Sequence, residues 1–183
     1  MTVGAILCDY PNYVIARTAR SGSFGYIYHV NYRAVPIRIF ITDDHPLAIT
    51  GLMNMLLPYK HISVTGAFVS GAELLEGLKK EQPDILLLDI LLPDTNGKEL
   101  AQLITATYPD IRIIAITSLD APTHVKSMMR NGSKGFLLKN VDQSTLVEAI
   151  DTVHAGGEYI ESSLKEQMLG NILNFRKRME AEG

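Results

Sequence analysis

From Ile37 to Ala155 the apolar residues follow one scheme, in which short runs rich in β-branched and aliphatic side chains alternate with amphipathic stretches of helical length. A parallel sheet with crossover helices has this alternation. Five runs predict strands: Ile37 to Thr42, Ile62 to Ala67, Asp84 to Asp89, Arg112 to Thr117 and Ser133 to Leu138. The run Ile85-Leu86-Leu87-Leu88 has no polar alternation, which predicts a central strand covered on both faces. Pro46 predicts the start of a helix running toward Leu57, because a missing N–H is no loss in a first turn. Ser70 with Glu73 three residues later predicts a capping box at the next helix. Further helices are predicted over Gly97 to Tyr108, Ala121 to Asn131 and Asp142 to Ala155, with Asp120 and Asp142 as N-terminal caps. The sum is an α/β fold, a (βα)5 doubly wound, parallel, five-stranded sheet. Such a sheet has its working site beyond the carboxyl ends of the strands.

The flanks break the scheme. Residues 1–36 carry Arg17, Arg20 and Arg33 against the single acid Asp9, and are rich in tyrosine. We read them as an N-terminal extension of unknown role. Asp9 and the scattered apolar residues argue against an organellar transit segment. Tyr26, Tyr28, Val30 and Tyr32 alternate at a strand period after the turn-like stretch Ser21 to Gly25, which fits a hairpin or a loosely ordered leader equally. The main domain is expected over 37–157 and a helical tail or linker over 158–183. In that tail Leu164, Met168, Ile172, Phe175 and Met179 form an apolar seam at helical spacing. The seam suits a partner, but the favoured expectation is that it lies on its own domain or leads to another module.

Composition narrows the class. With 46% hydrophobic and 20% charged residues the chain should fold as a globular protein, and 183 residues suit one full-sized domain. A net charge of −3 and the lack of a basic stripe argue against a nucleic-acid-binding surface, and Arg176-Lys177-Arg178 is too short to supply one. The lone cysteine, Cys8, excludes an internal disulfide framework and a cysteine zinc site, and suits a cytoplasmic location. The most apolar segment, Ile85 to Leu92, is interrupted by Asp89 and is far shorter than the roughly 20 residues of a membrane span.

The strand tips are where the chemistry gathers. Asp43 and Asp44 follow the first strand, Asp89 ends the third, Thr117 ends the fourth, and Lys139 lies just past the fifth. Carboxylates gathered in one cleft repel, so either their pKa values rise or a cation lies among them. Mg²⁺ is the natural candidate, being hard, oxygen-seeking and content with one or two carboxylates plus phosphate oxygens. Beside such a cation Asp89 can attack a phosphorus atom in line, with Lys139 as a second positive charge. Thr117 can donate its hydroxyl to a phosphoryl oxygen and so couple chemistry to loop position.

These residues resemble the receiver domain of bacterial response regulators over about Ile37 to Ala155: Asp43-Asp44, Asp89-Ile90-Leu91-Leu92-Pro93 with Gly97, Thr117-Ser118, and Lys139. Asp43-Asp44-His45-Pro46-Leu47 with Gly51-Leu52, and Gly135-Phe136-Leu137-Leu138-Lys139, resemble its NarL/LuxR subfamily. The resemblance implies a flavodoxin-like fold with strand order 2-1-3-4-5. It implies Asp89 as phosphoacceptor, and Mg²⁺ held by Asp44, Asp89 and the Leu91 backbone carbonyl, with Asp43 acting through a water. Lys139 and Thr117 would engage the phosphoryl group, and Thr117 and Phe136 would form the switch. It further implies a sensor histidine kinase as donor, a homodimer on phosphorylation, and transcriptional control through a DNA-binding module that is not among these 183 residues. Leu92 stands where methionine is usual, and Phe136 where the subfamily often has tyrosine, so a switch needing that hydroxyl is in doubt.

Plainer readings stand beside these. Asp43 and Asp44 can cap the helix at Pro46; Phe136 can be core; His45, with no second histidine at metal-ligand spacing, reads as a partly exposed helix-start residue. Asp94 and Asn96 read as a solvated turn without chemistry. A receiver-like module that binds partners without phosphorylation is the alternative function, disfavoured by the complete carboxylate set. An aspartate-nucleophile phosphohydrolase would want an acid two residues past the nucleophile, where Leu91 stands.

Overall fold

The structure is a computed structural model and describes residues 4–7, 13–17, 30–31, 35–118 and 122–166. The chain divides into two compact units, Met1–Pro36 and Ile37–Gly183. In the first, β1 (Gly4–Leu7), β2 (Tyr13–Arg17) and β3 (Val30–Asn31) form an antiparallel sheet in that order. The possible hairpin over Tyr26 to Tyr32 lies outside the described residues, apart from Val30 and Asn31.

The second unit is a parallel sheet of six strands with helices between them. In chain order it runs β4 (Ile37–Thr42), α1 (Pro46–Leu56), β5 (Ile62–Phe68), α2 (Gly71–Leu78), β6 (Ile85–Asp89), α3 (Gly97–Thr107), β7 (Arg112–Thr117), α4 (Pro122–Arg130), β8 (Gly135–Leu138), α5 (Gln143–His154) and β9 (Tyr159–Ile160). The order across the sheet is β5-β4-β6-β7-β8-β9, so the five expected strands take the order 2-1-3-4-5. The sixth strand is one that the sequence pattern does not predict: Tyr159–Ile160 pairs with Gly135 and Phe136 along the outer side of β8, where the expectation is a helical tail. Two residues are too few to show a period. Helix resumes at 162–166, and the seam beyond Leu164 lies outside the described residues.

Alternation sorts the strand residues between two layers, as the pleat requires. Ile39, Ile41, Ile85, Leu87, Ile114, Ile116 and Leu137 pack with α1 and α5. Phe40, Leu86, Leu88, Ile113, Ala115 and Phe136 pack with α2, α3 and α4. Every residue of β6 is buried, which explains its unbroken apolar run.

Local signals set the helix ends. The Asp142 side chain accepts from the Thr145 N–H at 2.9 Å, so the expected cap of α5 is present. Gly156, at φ +94°, ends that helix, with its N–H and that of Gly157 donating to the carbonyls of Val153 and Thr152. Ser70 Oγ accepts from the Glu73 N–H, but Glu73 reaches the Val69 N–H at 3.2 Å instead of closing the box on Ser70. At α1 the N-cap residue is His45, whose side chain makes no capping bond. Asp43 instead accepts from the His45 N–H at 2.9 Å, so it turns the chain ahead of the helix without capping it. The cap expected from Asp120 lies outside the described residues.

Candidate functional site

The site lies at the carboxyl ends of β4 and β6, adjacent strands whose following helices leave for opposite faces: α1 joins one layer and α3 the other. Chain paths diverge there and leave a crevice. β4 delivers Asp43 and Asp44 to its rim, β6 delivers Asp89, and β8 delivers Lys139. The Lys139 N–H donates to the Thr117 carbonyl at 2.8 Å, extending the β7–β8 ladder by one residue past β8. That bond sets Thr117 and Lys139 side by side, and with Ser118, Leu138 and Asn140 they line a cavity of about 450 Å³.

The central contact is a bridge. Lys139 Nζ lies 2.7 Å from Asp43 Oδ2 and 2.8 Å from Asp89 Oδ2, and both carboxylates are only 2% exposed. The other Asp89 oxygen accepts from the Leu91 N–H at 3.1 Å. One carboxylate oxygen from each of Asp43, Asp44 and Asp89, with an imidazole nitrogen of His45, all lie within 4.8 Å of one another.

Charge decides what this pocket wants. Three carboxylates against one ammonium leave two negative charges that the ammonium does not balance. Burial pushes the Asp89 carboxyl up, and the Lys139 and Leu91 hydrogen bonds only partly oppose it. Burial alone would lower Lys139, but hydrogen bonds to Asp43 and Asp89 outweigh it and hold the ammonium above the ordinary lysine range. Hard oxygen donors carrying an excess of two negative charges fit one hard divalent cation, and Mg²⁺ is such an ion.

Of the residues expected to act together, Asp43, Asp44, Asp89 and Lys139 meet in one pocket, Thr117 is buried at its edge, and Leu91 is tied to it through its N–H. Phe136 is not in the pocket. It is fully buried among the residues that pack against α2, α3 and α4.

Two residues make contacts that their sequence context does not indicate. His45 is exposed, as expected at a helix start, yet its Nδ1 lies 2.6 Å from Asp44 Oδ1 and 3.4 Å from Asp43 Oδ1. Asp94, whose neighbours suggest only a solvated turn, accepts from the N–H groups of Gly71 and Ala72 at 3.0 and 2.9 Å. No local pattern announces a contact across 22 or 23 residues.

The profile of the response regulator receiver domain matches residues 39–151. The transcriptional regulatory protein LnrK of Bacillus subtilis (strain 168) is 35% identical over 133 residues, covering 73% of this chain and 60% of that protein. The chain thus spans about three fifths of the length of that curated relative. Among solved structures, the signal receiver domain of the putative response regulator NarL from Mycobacterium tuberculosis is 30% identical with a TM-score of 0.63, covering 66% of this chain and 98% of that one. The isolated receiver domain of RcsB from Salmonella enterica serovar Typhimurium, solved in the presence of phosphomimetic BeF3⁻, shares the fold. Its TM-score is 0.68 at 23% identity, over 72% of this chain and 97% of that one.

Proposed function

Because the chain belongs to the response regulator receiver domain family, we propose that Asp89 accepts a phosphoryl group from the phosphohistidine of a sensor histidine kinase. The observation that carries this reading is the Lys139 bridge between two buried carboxylates, 2.7 Å to Asp43 and 2.8 Å to Asp89, beside Asp44. Asp44 adds a third carboxylate to a pocket with one ammonium, and this excess of negative charge on oxygen donors suits a bound cation.

In the proposed reaction an Asp89 carboxylate oxygen attacks phosphorus as the P–N bond to the donor imidazole breaks. The product is an acyl phosphate on Asp89, and the departing ring nitrogen keeps the bonding pair. Asp44, Asp89 and the Leu91 backbone carbonyl would hold Mg²⁺, with Asp43 reaching it through a water; the ion when bound neutralises charge on nucleophile and phosphoryl oxygens. Lys139 then turns its ammonium from the Asp89 carboxylate to a phosphoryl oxygen. Thr117 donates its hydroxyl to another, drawing the end of β7 inward. Phe136, on the neighbouring strand, moves in response, and its packing carries the change to the face around α4 and β8.

The role is that of a phosphoacceptor in two-component signalling and not of a turnover enzyme. Its output is dimerisation and, in the cytoplasm, control of transcription through a DNA-binding module. Among the described residues no helix is long and apolar enough to cross a membrane. Intact-mass measurement after incubation with acetyl phosphate and Mg²⁺ tests the chemistry. Wild type should gain one phosphoryl group and Asp89→Asn none; equal labelling of both would remove Asp89 from the role.

A further inference from the structure

We propose that Asp94 is a positioning residue that sets the cation affinity of the acidic pocket, by pinning the loop between β6 and α3 to the start of α2 and so fixing where Leu91 presents its carbonyl. The proposal rests on the reading of the site as a Mg²⁺-dependent phosphoacceptor and adds to it a residue outside the pocket.

Asp94 stands five residues after Asp89, on the loop that bears Leu91. Both of its carboxylate oxygens are engaged, Oδ1 by the Gly71 N–H at 3.0 Å and Oδ2 by the Ala72 N–H at 2.9 Å. These are the first two N–H groups of α2, donors that have no partner within their own helix, at the end of the helix dipole that favours an anion. They hold the Asp94 carboxyl below the usual range, so the charge persists. The grip is not the helix's own cap, because Ser70 already bonds the Glu73 N–H.

Packing independently marks the same joint. A Cβ on Gly71 would lie 2.4 Å from Thr95 Cγ2, so any larger residue at 71 would displace the Thr95 side chain of the loop from its seat on α2. The loop is also closed on itself. Leu91 and Asn96 form an isolated antiparallel bridge, the Gly97 N–H donates to the Ile90 carbonyl at 3.2 Å, and the Asn96 side chain caps α3 through the Lys98 N–H. A Cβ on Gly97 would come within 2.6 Å of that same carbonyl oxygen, so the closure leaves no room for a side chain at 97. Leu91 therefore belongs to a small rigid ring of chain, and Asp94 is a polar anchor between that ring and another element. Cutting the anchor leaves the ring intact and frees it to shift as a unit, which misplaces the Leu91 carbonyl. Outer partners of metal ligands commonly act in this way.

The test is Mg²⁺ titration calorimetry on the full chain, with thermal melting and acetyl phosphate labelling in parallel. Asp94→Ala should raise the Mg²⁺ dissociation constant about tenfold, the lower end of what outer partners cost. Asp94→Asn should fall between it and wild type, since one amide oxygen can accept from only one of the two N–H groups. Ser70→Ala weakens the same helix without touching the loop, and should leave the constant within roughly twofold of wild type. At saturating Mg²⁺, Asp94→Ala should label at the wild-type rate, placing the defect in binding and not in the chemistry. An unmoved constant in Asp94→Ala overturns the proposal. So does a Ser70→Ala shift of equal size, which makes α2 stability the cause, or equal shifts in the Asn and Ala variants, which make charge alone the cause. A wild-type chain that binds no Mg²⁺ overturns both this proposal and the reading it rests on, whereas normal wild-type binding with an unmoved Asp94→Ala overturns this one alone.

Discussion

At the scale of single residues, charge is handled differently at the two ends of the sheet. At the amino end of the strands Asp84 accepts from the Arg38 N–H at 2.8 Å, and from its Nε and Nη2 at 3.3 and 2.9 Å. Burial pushes the Asp84 carboxyl up, but these bonds outweigh it and hold it below the usual range. A carboxyl depressed by folding contributes stability that is present above its unfolded pKa, near 4, and is lost as pH falls through the folded value. Urea midpoints should therefore show Asp84→Asn less stable than wild type at pH 7, by about 1 kcal/mol given the exposure of both side chains. The gap should close as the pH is taken below about 4. A gap that persists at low pH would mean the side chains matter by packing and not by charge. At the carboxyl end the opposite holds, because burial raises Asp89 despite its hydrogen bonds, while burial would lower Lys139 and its hydrogen bonds to Asp43 and Asp89 raise it instead. Asp142, a cap readable from sequence, is held down to about 2 by the Ser144 hydroxyl, the Thr145 N–H and the Thr145 hydroxyl.

At the scale of elements, the segment after α5 departs most from what its sequence pattern indicates. The period running from Leu164 to Met179 is visible in the sequence and points to a helical tail, whereas β9 has only the residues Tyr159 and Ile160 and no period to read. Its pairing is determined by the free edge of β8. The Glu161 N–H donates to the Phe136 carbonyl, the Glu161 carboxylate accepts from the Leu138 N–H at 2.9 Å, and Leu164 is fully buried in the layer that holds Phe136, Val125 and Met128. Leu164→Ala should therefore cost about 2–5 kcal/mol in chemical denaturation, the range for a core leucine. A loss below about 0.5 kcal/mol, the usual limit for surface positions, would place Leu164 outside the core. The capping box of α2 shows a smaller departure of the same kind. Ser70 and Glu73 are readable as partners, but Glu73 bonds Val69, and Asp94 arrives from another loop to hold the Gly71 and Ala72 N–H groups.

At the scale of the whole molecule, the proposed output is a change of assembly. If phosphorylation repacks the face around α4 and β8, sedimentation velocity with acetyl phosphate and Mg²⁺ should move wild type toward a dimer and leave Asp89→Asn where it began. A phosphorylated wild type that stays monomeric would separate the chemistry from this output. The alternation of apolar runs, the unbroken apolar run Ile85 to Leu88 of β6, the polar strand tips and the glycine and proline punctuation were all determined by the sequence alone. They follow from residue type and local period, and any short window of chain displays them. Tertiary structure alone decided that Lys139 spans Asp43 and Asp89 at 2.7 and 2.8 Å, that Phe136 is buried away from the pocket, and that Asp94 grips α2. Each of these joins groups far apart in sequence. Such contacts depend on distance and burial in three dimensions, to which residue type and spacing along the chain contribute only indirectly.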